Sequence, residues 1–181
     1  SGVYAHAEGN NTIASGVYAH AEGGGTIASG VYAHAEGSGT TASGNYSHAS
    51  GQYTIANRKS QTVVGEYNDE SLTGALFVVG NGTGEESKSN AFYVKNDGSV
   101  YASGAYYSAS DKRKKDIIGN IDLEKAYSLL ETCQTVTYTW KDDESKKQQV
   151  GVIAQEIEQF FPEIVNEDEH GMLSVDYSRL T

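Results

Sequence analysis

Small and apolar residues recur at fixed intervals through the first 56 residues of the chain. Four 14-residue units follow one another: SGVYAHAEGNNTIA, SGVYAHAEGGGTIA, SGVYAHAEGSGTTA and SGNYSHASGQYTIA. Glycine returns every seven residues from Gly2 to Gly51, and small residues alternate with polar ones between the glycines. Such alternation predicts short β-strands separated by tight glycine corners, and the glycine density excludes a helix. We therefore expect a parallel β-roll, or β-solenoid, in which each coil covers the apolar face of the next.

The strict repeat ends after Ala56, but short apolar runs continue. Three of them predict further strands: Thr62–Gly65, Ala75–Gly80 and Ala91–Val94. The last run meets Asn96-Asp97-Gly98-Ser99 and resumes at Val100-Tyr101, which predicts a hairpin because Asp-Gly accepts the positive φ angles of a tight turn. We interpret residues 57–109 as the β-rich neck or tip of a fibre.

After Ser110 the pattern changes to that of a small α+β domain. One apolar stripe predicts a helix, and Thr residues alternating with larger apolar ones predict a half-buried strand after it. The predicted elements are a helix at 123–133 capped by Asp122, a strand at 134–140 paired with 150–153 across the charged turn 141–147, a helix at 154–160 that ends at Pro162, and a hairpin of 164–165 with 173–177. His170 is interpreted as a turn residue of this hairpin.

The predicted fold class is therefore mainly β, a fibrous β-roll and hairpin neck followed by an α+β domain, with boundaries at 1–56, 57–109 and 110–181. Charge adds a restriction, since 13 Lys and Arg stand against 24 Asp and Glu. We expect no nucleic-acid partner and no anionic membrane partner. No apolar run approaches about 18 residues, so we expect no membrane insertion. The single cysteine, Cys133, excludes an internal disulfide framework and is interpreted as a core thiol.

Tyrosine and histidine return once in each unit and would form two columns along the coils: Tyr4, Tyr18, Tyr32 and Tyr46, and His6, His20, His34 and His48. The histidines could bind metal, but no unit holds a His-x-His or His-x-x-x-His pair. We therefore favour a plain stacked column, with no metal and no cofactor. The tyrosines could present a surface to host glycans, because each has an apolar ring and a polar tip.

The 14-residue units resemble the head repeats of YadA-type trimeric adhesins, and similar repeats occur in phage tail fibres. This resemblance implies a left-handed β-roll in which three chains pack side by side. A narrow coil lined by Ala, Thr and Ile buries little area, which also favours lateral association.

Three motifs in order, SDKRKKDI, VGVIAQEIEQFFPEIV and LSVDYSRLT, resemble the intramolecular chaperone and auto-processing domain of phage endosialidase tailspikes, tail fibres and myelin regulatory factors. The resemblance implies a homotrimer in a virion tail fibre, assembled in the host cytoplasm, whose last domain guides folding and then cuts itself off. The implied scissile bond is Ala109–Ser110, with Ser110 and Lys115 as catalytic residues. The supporting residues are Asp111, Arg113, Gly151, Gln155 and Glu156.

The chemistry fits these residue types. A serine hydroxyl needs a base, and a lysine can serve when burial or neighbouring cations such as Lys112, Arg113 and Lys114 lower its pKa. A separation of five residues would place Ser110 and Lys115 on different faces of a helix, so the dyad requires a loop or a bend. Ser110 would attack the Ala109 carbonyl in an N-to-O acyl shift, and water would then clear the ester. Asp111 would orient the turn.

Plainer interpretations stay open. A Ser-Asp pair can be a helix N-cap or a turn, and Gln155 and Glu156 can be capping groups. The family often has a histidine two residues before the glycine of GVIAQ, where this chain has Gln149. The alternative function is a trimeric adhesin or structural fibre whose last domain is a non-cleaving clamp. A membrane-tethered transcription factor is disfavoured, because the upstream segment is repetitive rather than a DNA-binding fold.

Overall fold

The computed structural model describes residues 2–141 and 143–179. Ser1, Asp142, Leu180 and Thr181 lie outside the described residues. These four residues are the first residue of the first repeat, one residue of the predicted charged turn and the last two residues of the LSVDYSRLT motif. The chain divides into two compact units, Ser1–Tyr106 and Tyr107–Thr181.

Each 14-residue unit folds into one coil, with a five-residue strand and a two-residue strand. The long strands form one parallel stack and the short strands a second. Equivalent residues of successive coils lie opposite each other, as His6 does to His20 and Ala14 to Ala28. The predicted parallel β-solenoid is confirmed. Its strands are β1 (His6–Asn10), β2 (Ile13–Ala14), β3 (His20–Gly24), β4 (Ile27–Ala28), β5 (His34–Ser38), β6 (Thr41–Ala42), β7 (His48–Gln52), β8 (Ile55–Ala56) and β9 (Thr62–Glu66).

The core of the solenoid is a column of small side chains. Alanine is buried at the second residue of each long strand from β3 to β7 and at the end of each short strand. Buried threonines join it, and the hydroxyls of Thr40 and Thr54 donate to the carbonyls of Glu36 and Ser50. Such side chains bury little apolar area, so the two backbone ladders carry much of the order.

Glycine is required where the corners of adjacent coils meet. A Cβ built on Gly30 would lie 2.0 Å from the carbonyl oxygen of Gly44 on the next coil. At the other corner Gly37 has a φ of +107°, and a Cβ there would lie 2.1 Å from the oxygen of Gly51. Glycine therefore recurs every seven residues because each coil has two corners, and at both corners the backbone of the next coil lies too close for a side chain.

The coil geometry continues one turn beyond the sequence repeat. Strand β9 pairs in parallel with β7, with Thr62 opposite His48 and Val63 opposite Ala49. Val63 is fully buried, so it takes the core position that alanine holds in the earlier coils. The backbone needs only a small or β-branched residue there. The coil structure can therefore continue after the sequence repeat has ended.

Three more strands follow in the same sheet: β10 (Ala75–Asn81), β11 (Asn90–Lys95) and β12 (Val100–Ala102). Strand β10 runs parallel to β9, whereas β11 and β12 are antiparallel to their predecessors. Lys95 N donates to Ser99 O at 2.9 Å, and Gly98 has a φ of +82°. The predicted Asp-Gly hairpin is confirmed.

Asn68 ends the stack of short strands. Its side chain is buried; its Oδ1 accepts from Ile55 N at 2.7 Å and its Nδ2 donates to Ile55 O at 3.1 Å. The side-chain amide thus forms the two hydrogen bonds that a next short strand would otherwise form with Ile55.

Asn68→Ala leaves two part-buried backbone groups unpaired, and we expect the free energy of unfolding in urea to fall by at least about 2 kcal/mol. Asn57, whose Nδ2 makes a longer, exposed bond of 3.4 Å to Glu70 O, is the control. Equal losses from Asn68→Ala and Asn57→Ala would contradict this role.

The second unit is α+β, as predicted. Asp122 caps the first helix, because its Oδ1 accepts from Glu124 N at 3.0 Å. Both predicted hairpins are present, and each pairs antiparallel. The elements are α1 (Leu123–Thr132), β13 (Val136–Tyr138), β14 (Gln149–Gly151), α2 (Ala154–Glu158), β15 (Val165–Glu167) and β16 (Leu173–Val175), with 3-10 helices at Lys112–Lys114, Pro162–Ile164 and Tyr177–Arg179.

The second unit has almost no core of its own. Within residues 107–141 and 143–179, Ile157 is the one buried residue. Large apolar side chains are exposed, among them Ile118, Leu130 and Val150. Cys133, predicted to be a core thiol, is only half-buried at the C-cap of α1, where burial raises its pKa. Among the helices of the described residues, none is long and apolar enough to cross a membrane.

Candidate active site

A tight turn held by Asp111 follows Ser110. Asp111 is the N-cap of the 3-10 helix Lys112–Lys114, and its Oδ1 accepts from Arg113 N at 2.9 Å. Lys114 N then donates to Asp111 O at 3.0 Å, and Lys115 N to Lys112 O at 3.2 Å. The backbone is extended again at Lys115, with φ −123° and ψ 128°. This single turn provides the bend that the predicted dyad requires.

The turn brings the two predicted catalytic side chains together. Lys115 Nζ donates to Ser110 Oγ at 2.7 Å. A hydroxyl within hydrogen-bond distance of an amine is the arrangement that activation of a nucleophile by a general base requires. The hydroxyl also belongs to the residue directly after Ala109, so it is tethered beside the carbonyl that it would attack. Ala109, Ser110 and Lys115 are all exposed in the single chain.

Arg113 is paired with Asp111. Arg113 Nε donates to both carboxylate oxygens, at 3.1 and 3.0 Å. These bonds hold the pKa of the Asp111 carboxyl below its ordinary value and raise the pKa of the guanidinium. Asp111 therefore stays ionised at neutral pH and anchors the turn. Because Arg113 is neutralised in this pair, Lys112 and Lys114 are left as the neighbouring cations of Lys115.

The other predicted supporting residues lie in the β14–α2 segment. Gly151 lies opposite Val136 in the β13–β14 hairpin, and a Cβ there would be 3.2 Å from the Tyr177 hydroxyl. Glu156 Oε2 accepts from Gln134 N at 3.0 Å, and Gln155 O accepts from Gln159 Nε2 at 3.2 Å. In residues 2–141 and 143–179, no hydrogen bond joins Gly151, Gln155 or Glu156 to Ser110 or Lys115.

Gln149 lies two residues before Gly151, at the position where the resemblance leads us to expect a histidine. The Tyr138 hydroxyl donates to Gln149 Oε1 at 3.4 Å, across the β13–β14 hairpin. A carboxamide cannot take up a proton at neutral pH, so this position provides no base.

The two aromatic columns predicted for the solenoid are present. The rings of Tyr18 and Tyr32 have centroids 4.8 Å apart, and each has a further tyrosine on its other face. The histidine rings are spaced at 4.8 to 5.0 Å. Because neighbouring tyrosines cover the ring faces, the column offers ring edges and hydroxyls rather than open faces. The glycan surface stays a prediction.

Sequence reasoning missed a third column, formed by Glu8, Glu22 and Glu36. Histidine and glutamate are two residues apart in β1, β3 and β5, so their side chains share the outer face. The parallel register then sets the glutamate of one coil beside the histidine of the next, with Glu22 Oε1 3.6 Å from His34 Nε2. The sequence signal for this column was the His-x-Glu spacing that recurs every 14 residues. It predicts the contact only when the glutamate of one coil is compared with the histidine of the next coil.

A comparison with curated proteins finds no match for this chain. A scan against protein families finds one at residues 110–166, to the model described as chaperone of endosialidase, Peptidase S74. The match begins at Ser110 and spans the turn, the first hairpin and both α-helices. Residues 110–166 of this chain are therefore similar to the chaperone of endosialidase family.

Proposed function

We propose that this chain is the C-terminal part of a phage tail fibre or spike whose last domain is a trimerisation chaperone and cuts the chain once, between Ala109 and Ser110. The family match supports the chaperone, and hence a place in the virion tail after assembly in the host cytoplasm. The observation that carries the cleavage is the 2.7 Å contact between Lys115 Nζ and Ser110 Oγ.

The proposed cut needs no cofactor. Neutral Lys115 takes the proton of the Ser110 hydroxyl, and Oγ attacks the carbonyl carbon of Ala109. The carbon–nitrogen bond breaks, and Lys115 returns the proton to the Ser110 nitrogen as it leaves. The product is an ester between the Ala109 carbonyl and the Ser110 side chain. Water then hydrolyses the ester, leaving a carboxylate at Ala109 and a free amine and hydroxyl at Ser110.

Exposed apolar side chains support assembly of several chains. Residues such as Ile118, Leu130 and Val150 are exposed in the single chain. Burying one such side chain is worth about 1.5–3 kcal/mol, which a neighbouring copy would provide. The number of copies, three, follows the family resemblance.

Assembly would also favour the chemistry. Water stabilises the charge of an exposed ammonium, which makes an exposed lysine a poor base. A neighbouring chain that covers the turn would exclude this water and favour the neutral amine. Cleavage would therefore follow trimerisation, so that the chaperone leaves only after its work on the fibre.

The second candidate is a trimeric adhesin or fibre whose last domain is a non-cleaving clamp. Gln149, bonded to Tyr138 in place of the family histidine, favours this candidate. The exposure of Ser110 and Lys115 also fits it. The Asp111 turn would then have a structural role alone.

Ser110→Ala separates the two candidates. On a denaturing gel we expect wild-type protein to give fragments 1–109 and 110–181, and Ser110→Ala to remain full length. Ser108→Ala, which removes a hydroxyl two residues upstream, is the matched control and should be cut like wild type. Cleavage of Ser110→Ala would remove the nucleophile assignment, and an uncut wild-type trimer would favour the clamp.

A further inference from the structure

We propose that Glu22, His34 and Glu36 form a binding site for a divalent transition-metal ion such as Zn²⁺, on the outer face of the solenoid. One ligand atom from each of these side chains lies within 4.8 Å of the other two. The ligands come from adjacent coils of one chain, β3 and β5. The site is independent of the proposed self-cleavage.

The separations suit tetrahedral coordination after small side-chain rotations. Bonds of about 2.0–2.2 Å from Zn²⁺ to nitrogen and oxygen place neighbouring ligand atoms about 3.3–3.6 Å apart. His34 Nε2 and Glu22 Oε1 are already 3.6 Å apart. Glutamate ends are flexible enough to bring the third oxygen closer. Water would complete the shell.

Strand register fixes the ligand set. In the β3–β5 pair, Glu22 lies directly opposite Glu36, while the preceding residues Ala21 and Ala35 are buried in the core. Like charges directly opposite each other in a sheet are destabilising, and a dication between them removes the repulsion. The ligands thus lie on ordered strands rather than on a loop, which favours a defined site.

His34 is suited to act as a ligand. Its Nε2 is buried and has no hydrogen-bond partner within the described part of the chain. An unpaired buried nitrogen is costly, and coordination would satisfy it.

The chemistry of the ligands indicates the class of ion. A nitrogen ligand with two carboxylates suits Zn²⁺, Cu²⁺ or Ni²⁺, whereas Mg²⁺ and Ca²⁺ prefer oxygen alone. The three glutamates of the column line an open groove of about 630 Å³ together with the corner glycines and Ser50. This groove has room for the ion and its water.

The next coil gives a natural comparison. Glu36 and His48 repeat the pair, with His48 Nε2 3.4 Å from Glu36 Oε1. Ser50 occupies the position of the third ligand, opposite Glu36. We expect no site at this level in the natural sequence, and Ser50→Glu should create one.

Titration calorimetry with Zn²⁺ on the full chain tests the site, with the visible spectrum of bound Co²⁺ as a second readout. We expect one ion per chain in the wild type, because within the described residues Glu22, His34 and Glu36 are the one such group whose ligand atoms lie this close together. Affinity should be at least about tenfold weaker in Glu22→Gln and in His34→Gln. The control His6→Gln removes an imidazole of the same column but no ligand, so it should bind like wild type. Ser50→Glu added to Glu22→Gln should restore one site.

Thermal melts link binding to the folded coil. Zn²⁺ should raise the Tm of the wild type and of His6→Gln, but not that of Glu22→Gln. Restored binding in the double variant shows that Glu22→Gln is folded and lost only a ligand. Folded wild type that binds no Zn²⁺, or equal affinity in wild type, Glu22→Gln and His34→Gln, would overturn the proposal.

Discussion

Lys115→Met will leave the chain uncut although the protein still assembles. Methionine keeps an unbranched apolar stem but has no amine to take the proton of Ser110, which is 2.7 Å away in the structure. A positioned general base contributes about 10²–10⁴-fold to rate, so we expect the appearance of fragment 1–109 to slow by at least about a hundredfold. Mass spectrometry of the denatured protein measures this rate, and sedimentation of the same sample reports assembly.

Lys114→Met is the matched control for this experiment. Lys114 belongs to the same turn and carries the same charge, but its Nζ has no hydrogen bond to Ser110 in the described structure. We expect a much smaller change in rate, since only a neighbouring cation is lost. Wild-type cleavage by Lys115→Met would assign the base to another group. An equal loss in both variants would indicate that the net charge of the turn matters rather than one amine.

Gly30→Ala will disrupt the solenoid. The added Cβ would lie 2.0 Å from the carbonyl oxygen of Gly44 and 2.5 Å from its carbon, and both atoms are backbone. The corner cannot retreat easily, because Gly30 N donates to Ala42 O and Gly30 O accepts from Ala33 N, each at 3.2 Å. Overpacking against backbone costs about 3 kcal/mol or more. Urea denaturation followed by circular dichroism should show this loss.

Gly24→Ala is the control for the corner. A Cβ on Gly24 would meet open space, with nothing within 4 Å, and its φ lies outside the left-handed region. We expect the free energy of unfolding to change by no more than about 0.5 kcal/mol. If Gly24→Ala and Gly30→Ala were equally stable, close approach of the coils would not be the reason for the glycine period.

The β-solenoid could be predicted because the regular spacing of its small residues determines its coil geometry. Small residues, mostly alanine and threonine, at the inward positions and glycine where the corners of adjacent coils meet leave few alternatives to stacked coils. The fifth coil could not be predicted from the repeat, because Val63 and Ser60 replace the repeated letters while keeping their roles. Val63 fills the core, and Ser60 adopts a positive φ of 57°, close to the 60° of Tyr46 one coil earlier.

The short length of the second strand in each coil also could not be predicted from the sequence. Tyr18, Tyr32 and Tyr46 adopt positive φ values of 56° to 60° at the corners. Tyrosine rarely does so, and propensity alone gives no warning of it. These corners take up residues that would otherwise extend β2, β4 and β6. Stacking of the rings along the column accompanies this conformation.

The candidate site was predictable in part. The family resemblance identified Ser110 and Lys115 as the candidate pair. Their five-residue separation indicated only that a helix would place the two side chains on different faces. The bend depends on Asp111 acting as a cap, which a Ser-Asp pair permits but does not require. The carboxylate column was missed because its partners meet across coils, where strand register decides the contacts, as for Glu22 and His34.

Mass spectrometry on freshly folded wild-type protein, under native and then denaturing conditions, tests self-cleavage after assembly most directly. Native masses sort single chains from trimers, and denatured masses show whether each population is cut. We predict that trimers contain fragments meeting between Ala109 and Ser110, while single chains remain full length. Trimers that stay full length, or single chains cut as fast as trimers, would contradict the proposal.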